Sequence, residues 1–127
     1  MFVGTQRTPV EGLHADFVDV GSIRAISGQV FRVNIAAAYE SPQFHGAVLA
    51  KVQARIDCHL RTLTREDIAA YYRNGGLEGR FPILEEEQKA QSLSAGDFDA
   101  NVGRFVCQGK MEGDRIVSED EFFSVLH

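Results

Sequence analysis

The feature that most constrains this chain is the run from Ala47 to Cys58, "AVLAKVQARIDC". Its even positions read Val48, Ala50, Val52, Ala54, Ile56 and Cys58, whereas the odd positions carry Leu49, Lys51, Gln53, Arg55 and Asp57. Side chains along a strand point alternately to opposite faces, so the pattern predicts a strand with one buried and one wet side. A helix would smear both sets around its circumference. The earlier stretch "QVFRVNIAAAY" behaves the same way, with Phe31, Val33, Ile35, Ala37 and Tyr39 set against Arg32 and Asn34. A glycine turn in "ISGQV" precedes it, and "HADFVDVGSI" supplies a strand before that. Pro42 marks the connection between the two long runs. Three consecutive antiparallel strands joined by short turns are the economical arrangement.

The next segment, "TREDIAAYYRNGGLEG", carries conflicting signals. Thr64 can cap a helix, Glu66 and Asp67 suit its first turn, and Gly75 can end it. Asn74-Gly75 is equally a hairpin turn, with Tyr71 and Tyr72 on one arm and Leu77 on the other. Local rules tip toward the helix. A clearer helix begins at Ser94 or Asp97, where Phe98, Val102, Phe105 and Val106 recur at helical spacing and form one apolar face. Gly103 weakens that helix by about 1 kcal/mol relative to alanine, so it needs packing against the sheet. In the tail, "SEDEFFSVLH", Ser118 and Glu121 have capping-box spacing, and Phe122, Val125 and Leu126 suit a short terminal helix.

The chain has two cysteines. As a metal site they fall short of the usual four ligands, and no histidine has the matching local spacing. As a nucleophile, Cys58 needs a base, yet His59 follows it directly and points to the other face of a strand. His14 or His45 could approach it only through the fold. Two buried free thiols are a further reading. A disulfide fits the pattern best, because Cys58 lies on the apolar strand face and Cys107 ends the predicted helix. Such a bridge closes a loop of about 50 residues and belongs to an oxidising compartment.

At 127 residues the chain suits one domain with a real core. Its net charge of −5 and scattered basic residues do not suit a nucleic-acid partner. The one charge run, Glu85-Glu86-Glu87, reads as a solvated segment. No apolar run is long enough to span a bilayer, so a membrane-spanning helix is not expected. The N-terminus lacks the basic cluster and apolar stretch of a secretory signal, which fits a cytosolic protein or one whose signal has been removed.

The order of these features resembles the surface-adhesin E-like family of bacteria from about His14 to Cys107. The resemblance rests on "VGSI" followed by a glycine turn, on Asp57-Cys58 at the end of a strand, and on "SAGDFDANVGRFVC" ending in Cys107. It implies an α+β fold, an antiparallel sheet of about 5–6 strands with a C-terminal helix tethered to one face by a Cys58–Cys107 disulfide. It also favours strands rather than a helix around "DIAAYYRNGGL". Residues 14–107 then form the single domain, 1–13 a flexible N-terminal segment, and 108–127 a C-terminal extension. The family implies an exported protein of the periplasm or cell surface.

The functional expectation is a non-enzymatic, adhesin-like or envelope-associated binding module, with Tyr39, Tyr71 and Tyr72 as its candidate contact surface. No cofactor, metal site or catalytic residue is expected; the partners are a protein or envelope component, or a second copy. Two alternatives stand beside it. One is a ligand-binding or hydrolytic pocket between sheet and helix, using His14, His45 or His59 with Asp57 or Asp16. The other is an intracellular interaction partner that docks through "DEFFSVLH".

Overall fold

The computed structural model describes residues 2–7, 14–40, 46–72, 76–94, 97–109 and 115–117. Three long strands form its centre: β4 (Val30–Tyr39), β5 (Leu49–Asp57) and β6 (Thr62–Tyr71). Strand β4 pairs antiparallel with β5, placing Phe31 opposite Ile56, Val33 opposite Ala54 and Ile35 opposite Val52. Residues directly opposite in such a pair share a face. The odd positions of β4 and the even positions of β5 therefore make one apolar side, as the alternation requires.

On its other edge β4 meets a broken arm. Strand β2 (His14–Asp19) pairs with the end of β4, and β3 (Arg24–Ser27) pairs with its beginning. Between them "VGS" makes a 3-10 turn over Val20–Ser22. The Asp19 carboxylate accepts from the Gly21 amide at 3.2 Å. The Ser22 hydroxyl donates to the Asp19 carbonyl at 2.7 Å and accepts from the Asn34 amide at 2.8 Å. One serine thus stitches the break in the arm to the unbroken strand beside it. Gly28, with φ +46°, makes the turn from β3 into β4.

The segment with conflicting signals is strand β6, as the family resemblance implied and against the local helical cues. It pairs with β5 along its length, with β7 (Leu77–Pro82) at one end and with the short β8 (Gln91–Ser92) at the other. Backbone pairing on both edges, together with burial of Leu63, Ala69 and Ala70, outweighs the helix propensity of "EDIAAYY". The turn residues Asn74 and Gly75 lie outside the described residues, as do Pro42, His45 and the terminal "SEDEFFSVLH".

Two strands come from segments placed outside the domain by the sequence. Phe2–Arg7, expected as part of a flexible N-terminal segment, forms β1 and pairs with β2 over six residues. In the C-terminal extension Arg115–Val117 forms β9 on the outer edge of β1. The sheet runs β7-β6-β5-β4-β2-β1-β9, with β3 and β8 filling out the edges of β4 and β6. A seven-strand path replaces the expected 5–6 because backbone ladders at both termini extend it.

Helix α1 (Asp97–Gln108) crosses the apolar face. Val102 is fully buried there with Val18, Val33, Ile35, Ile56 and Leu63, and Phe105 and Val106 pack against the same cluster. Gly109, with φ +76°, ends the helix by donating its amide to the Phe105 carbonyl at 2.7 Å. Cys107 forms a disulfide with Cys58, with Cα atoms 5.7 Å apart, an ordinary bridging separation.

Gly103 has a packing role that propensity alone does not reveal. A Cβ there would lie 2.6 Å and 2.8 Å from the two Leu93 methyls, so the leucine lies directly over the bare helix backbone. Gly103→Ala is expected to destabilise the protein by about 1–2 kcal/mol, overpacking outweighing the helix-propensity gain. Urea denaturation checks this, and the added Leu93→Ala change should restore most of the loss by opening the needed space.

The second face is not uniformly wet. Ala15, Phe17, Ala36 and Ala38 are all buried on it. The Phe17 ring lies over Gly4 of β1, where an added Cβ would come within 2.5 Å of it. Polar character returns further along the strands. Arg32 and Arg55 sit directly opposite one another on β4 and β5, a like-charge pair that is unfavourable alone. Glu66 resolves it. A bulge between Gln53 and Ala54 in the β5–β6 register leaves Glu66 as the extra residue. Its carboxylate accepts two hydrogen bonds from Arg32, at 2.8 Å and 3.1 Å, and one from Arg55 at 3.2 Å. The Glu66 hydrogen bond, then its charge, raises the Arg32 guanidinium above its ordinary value. Glu66→Ala should cost about 1–2 kcal/mol, more at low salt than at high, because it restores an unscreened arginine pair. Unfolding curves at two ionic strengths test both the size and the salt trend.

Candidate binding surfaces

Helix α1 covers only part of the apolar face. Across four strands the register aligns Ala37, Ala50, Ala70 and Gly79 in one row. Small residues there leave a low floor, and Tyr39, Ile68 and Phe81 rise beside it. The result is an apolar groove of about 370 Å³ beyond the helix, which Ala47 and Leu49 also line. Phe81 stands on β7 at the edge of the sheet and is exposed.

On the opposite face the register builds a second depression of about 380 Å³. Ala36 and Ala69 flank Lys51 in one cross-strand row, while Asn34, Gln53 and Asp67 form the next. Lys51 places its ammonium 5.1 Å from the centre of the Tyr71 ring, a cation–π distance. Arg80 lies 3.9 Å from Asp67 on the same side.

The three candidate tyrosines therefore reach one end of the sheet but not one surface. Tyr39 borders the apolar groove and Tyr71 the polar depression. Leu49 pairs with both Ala38 and Tyr71, so Tyr71 shares the face of Ala38, and Tyr39, the next residue, takes the other. Tyr72 is exposed at the rim, close to Gly46.

Of the histidines of the pocket alternative, His14 and His59 are not brought together. His14 and Asp16 are fully buried, with His14 Nδ1 2.7 Å from Asp16 Oδ1. The amide of Asn101, on α1, donates to Asp16 Oδ2 at 3.0 Å, and the Tyr39 ring lies 5.6 Å from the imidazole. This cluster fastens helix to sheet, and a second polar contact helps it: Arg65 donates to Asp99 at 2.6 Å. His59 follows the far end of β5, a strand length away, beside Asp57. The Asp57 carboxylate accepts from the His59 and Leu60 amides at 2.9 Å each, shaping the turn that carries Cys58. His45 lies outside the described residues. Among the described residues no cluster of three or more potential ligands could hold a metal ion. No helix among them is long and apolar enough to cross a membrane.

Sequence reasoning missed a third depression, beside the disulfide. About 430 Å³ in volume, it is lined by Arg61, Arg104, Ser92 and Ser94 among others. The one available signal was the turn "CHLRT", and nothing in its letters shows that Arg61 shares a depression with residues of the helix.

Two crystal structures of Haemophilus influenzae protein E are similar to this chain. That of crystal form II matches with a TM-score of 0.52 at 16% identity, covering 82% of this chain and 87% of the other. The likeness is one of fold. Protein E from non-typeable Haemophilus influenzae gives a TM-score of 0.43 at 16% identity, over 87% of this chain and 80% of the other. No protein-family profile matches the chain, and no curated protein does so.

Proposed function

We propose that the protein is an exported, non-enzymatic binding module of adhesin-like type, acting at the periplasm or cell surface. The Cys58–Cys107 bridge carries this reading, since a structural disulfide persists in an oxidising compartment and is rare in the reducing cytosol. The resemblance to the surface-adhesin E-like family supports the same placement. Contact falls at the sheet end that carries Tyr39, Tyr71 and Tyr72, where aromatic side chains flank two depressions. The separation of His14 from His59 gives no support to a hydrolytic pocket that uses both.

The test has two parts. Fractionation of native cells expressing the gene from its own locus should recover the protein in the periplasm or on the surface. Purified oxidised protein should bind at least one member of a panel of matrix proteins and isolated envelopes, and Tyr72→Ala should weaken that binding by about tenfold. Recovery in the cytosol, or no binding across the panel, contradicts the proposal.

A further inference from the structure

The depression beside the disulfide has a chemistry unlike the rest of the molecule. The protein is acidic overall, and where its other described cations meet carboxylates they are neutralised: Arg32 and Arg55 by Glu66, Arg65 by Asp99, Arg80 by Asp67. Among the described residues Arg24 forms no ion pair, and Arg61 and Arg104 differ from it by their position. Both line one cleft, and among the described residues neither forms an ion pair. Among the described residues no carboxylate lines that cleft, whereas Ser92 and Ser94 do, their hydroxyls 2.8 Å from each other. Two arginines on one solvent-open depression make its local charge positive, which favours an anion there.

The backbone adds an independent sign. Arg61 has φ +57°, the only non-glycine residue with positive φ among the described residues. That conformation is strained for a residue that bears a side chain, and glycine would avoid the strain. The strain is locked in, because the Arg61 carbonyl accepts the Leu93 amide at 2.9 Å and the Asp57 carboxylate holds the preceding two amides. An arginine kept where glycine would be more stable is kept for its side chain. Arg104 comes from α1, and the Cys58–Cys107 bridge, which also lines the cleft, fixes that helix to the turn.

We infer that this cleft is an oxyanion site. Arg61 and Arg104 would grip the charged oxygens of a sulfate or phosphate ester group, and Ser92 and Ser94 would supply hydroxyl donors. The planar guanidinium fork suits such oxygens better than a point charge does. The site goes beyond a general binding role, and its chemistry does not depend on the compartment in which the protein resides.

The experiment titrates the oxidised full chain with inorganic sulfate and, separately, inorganic phosphate, observed by amide NMR at constant ionic strength. A sulfated and a phosphorylated monosaccharide form two further arms that distinguish the source of the group. Saturable shifts should centre on Arg61, Leu93, Ser94 and Arg104, tighter for at least one ester than for chloride. Arg61→Gly should weaken binding at least tenfold while leaving the melting temperature equal or higher, since it relieves the backbone. Arg104→Gln should weaken binding similarly with the fold intact, and Arg24→Gln, outside the cleft, should change nothing. Shifts that do not saturate, that spread over unrelated arginines, or that survive Arg61→Gly would overturn the assignment.

Discussion

Replacing both cysteines, as Cys58→Ala/Cys107→Ala, is expected to lower the stability of the oxidised protein by about 4 kcal/mol, the chain-entropy figure for a loop of roughly 50 residues. The bridge spans a sequence separation of 49, so the unfolded chain loses much freedom when it is closed. In a chain of this length that corresponds to a melting temperature lower by about 15 °C. Against a typical total of about 5–15 kcal/mol, the variant should remain folded at room temperature but with a thin margin. The helix should suffer first. Its N-terminal half is held by Asn101–Asp16 and Arg65–Asp99, whereas its last turn rests on Phe105, Val106 and the bridge. Hydrogen exchange should accordingly rise most at 104–109. A loss under about 1 kcal/mol in urea denaturation would mean that apolar contacts alone hold the helix.

Asp16→Ala should be about as damaging, costing about 3–5 kcal/mol. The carboxylate is fully buried between β2 and α1 and serves two partners, His14 Nδ1 at 2.7 Å and the Asn101 amide at 3.0 Å. Removing it takes away the acceptor of the Asn101 amide and the carboxylate beside the His14 imidazole at once, and also opens space at the helix–sheet contact. Asp16→Asn keeps the shape and one acceptor, so it should lose about half as much. Denaturant midpoints for the two variants decide the matter. Equal, small losses would show that the cluster contributes packing rather than polar fastening.

How much of this was legible in the letters follows from where the strand period is kept. Strands β4 and β5 alternate without interruption, and their inward sets, Val33 and Ile35 with Val52, Ala54 and Ile56, form the core that the pattern predicts. Strand β6 does not keep phase. Leu63 and Arg65 face the helix, but the extra residue at Glu66 shifts the inward set to Ile68 and Ala70. A bulge of one residue erases a period of two, and the remaining signal resembles a helix. The buried Ala36 and Ala38 were equally hidden, because alanine reads as neutral until the neighbouring strand brings Phe17 beside it.

The site was less legible than the fold. The tyrosines were visible as residue types, but their faces depend on pairing Leu49 with Tyr71, which no local rule supplies. The cysteine pair was the strongest long-range signal, since a strand face and a helix end can be located from sequence separately. Arg61 gave no such signal: its left-handed backbone is set by the turn after β5 and by its carbonyl's bond to Leu93, more than 30 positions later.

The central claim is that the native protein carries this cross-link and lives where it can persist. Cells expressing the gene from its own locus are quenched in acid, and the denatured protein is alkylated before and after reduction, then weighed by mass spectrometry. No alkylated cysteine before reduction and two after it are expected. Two alkylated cysteines without reduction would contradict it, and the proposed export would fall together with the tether.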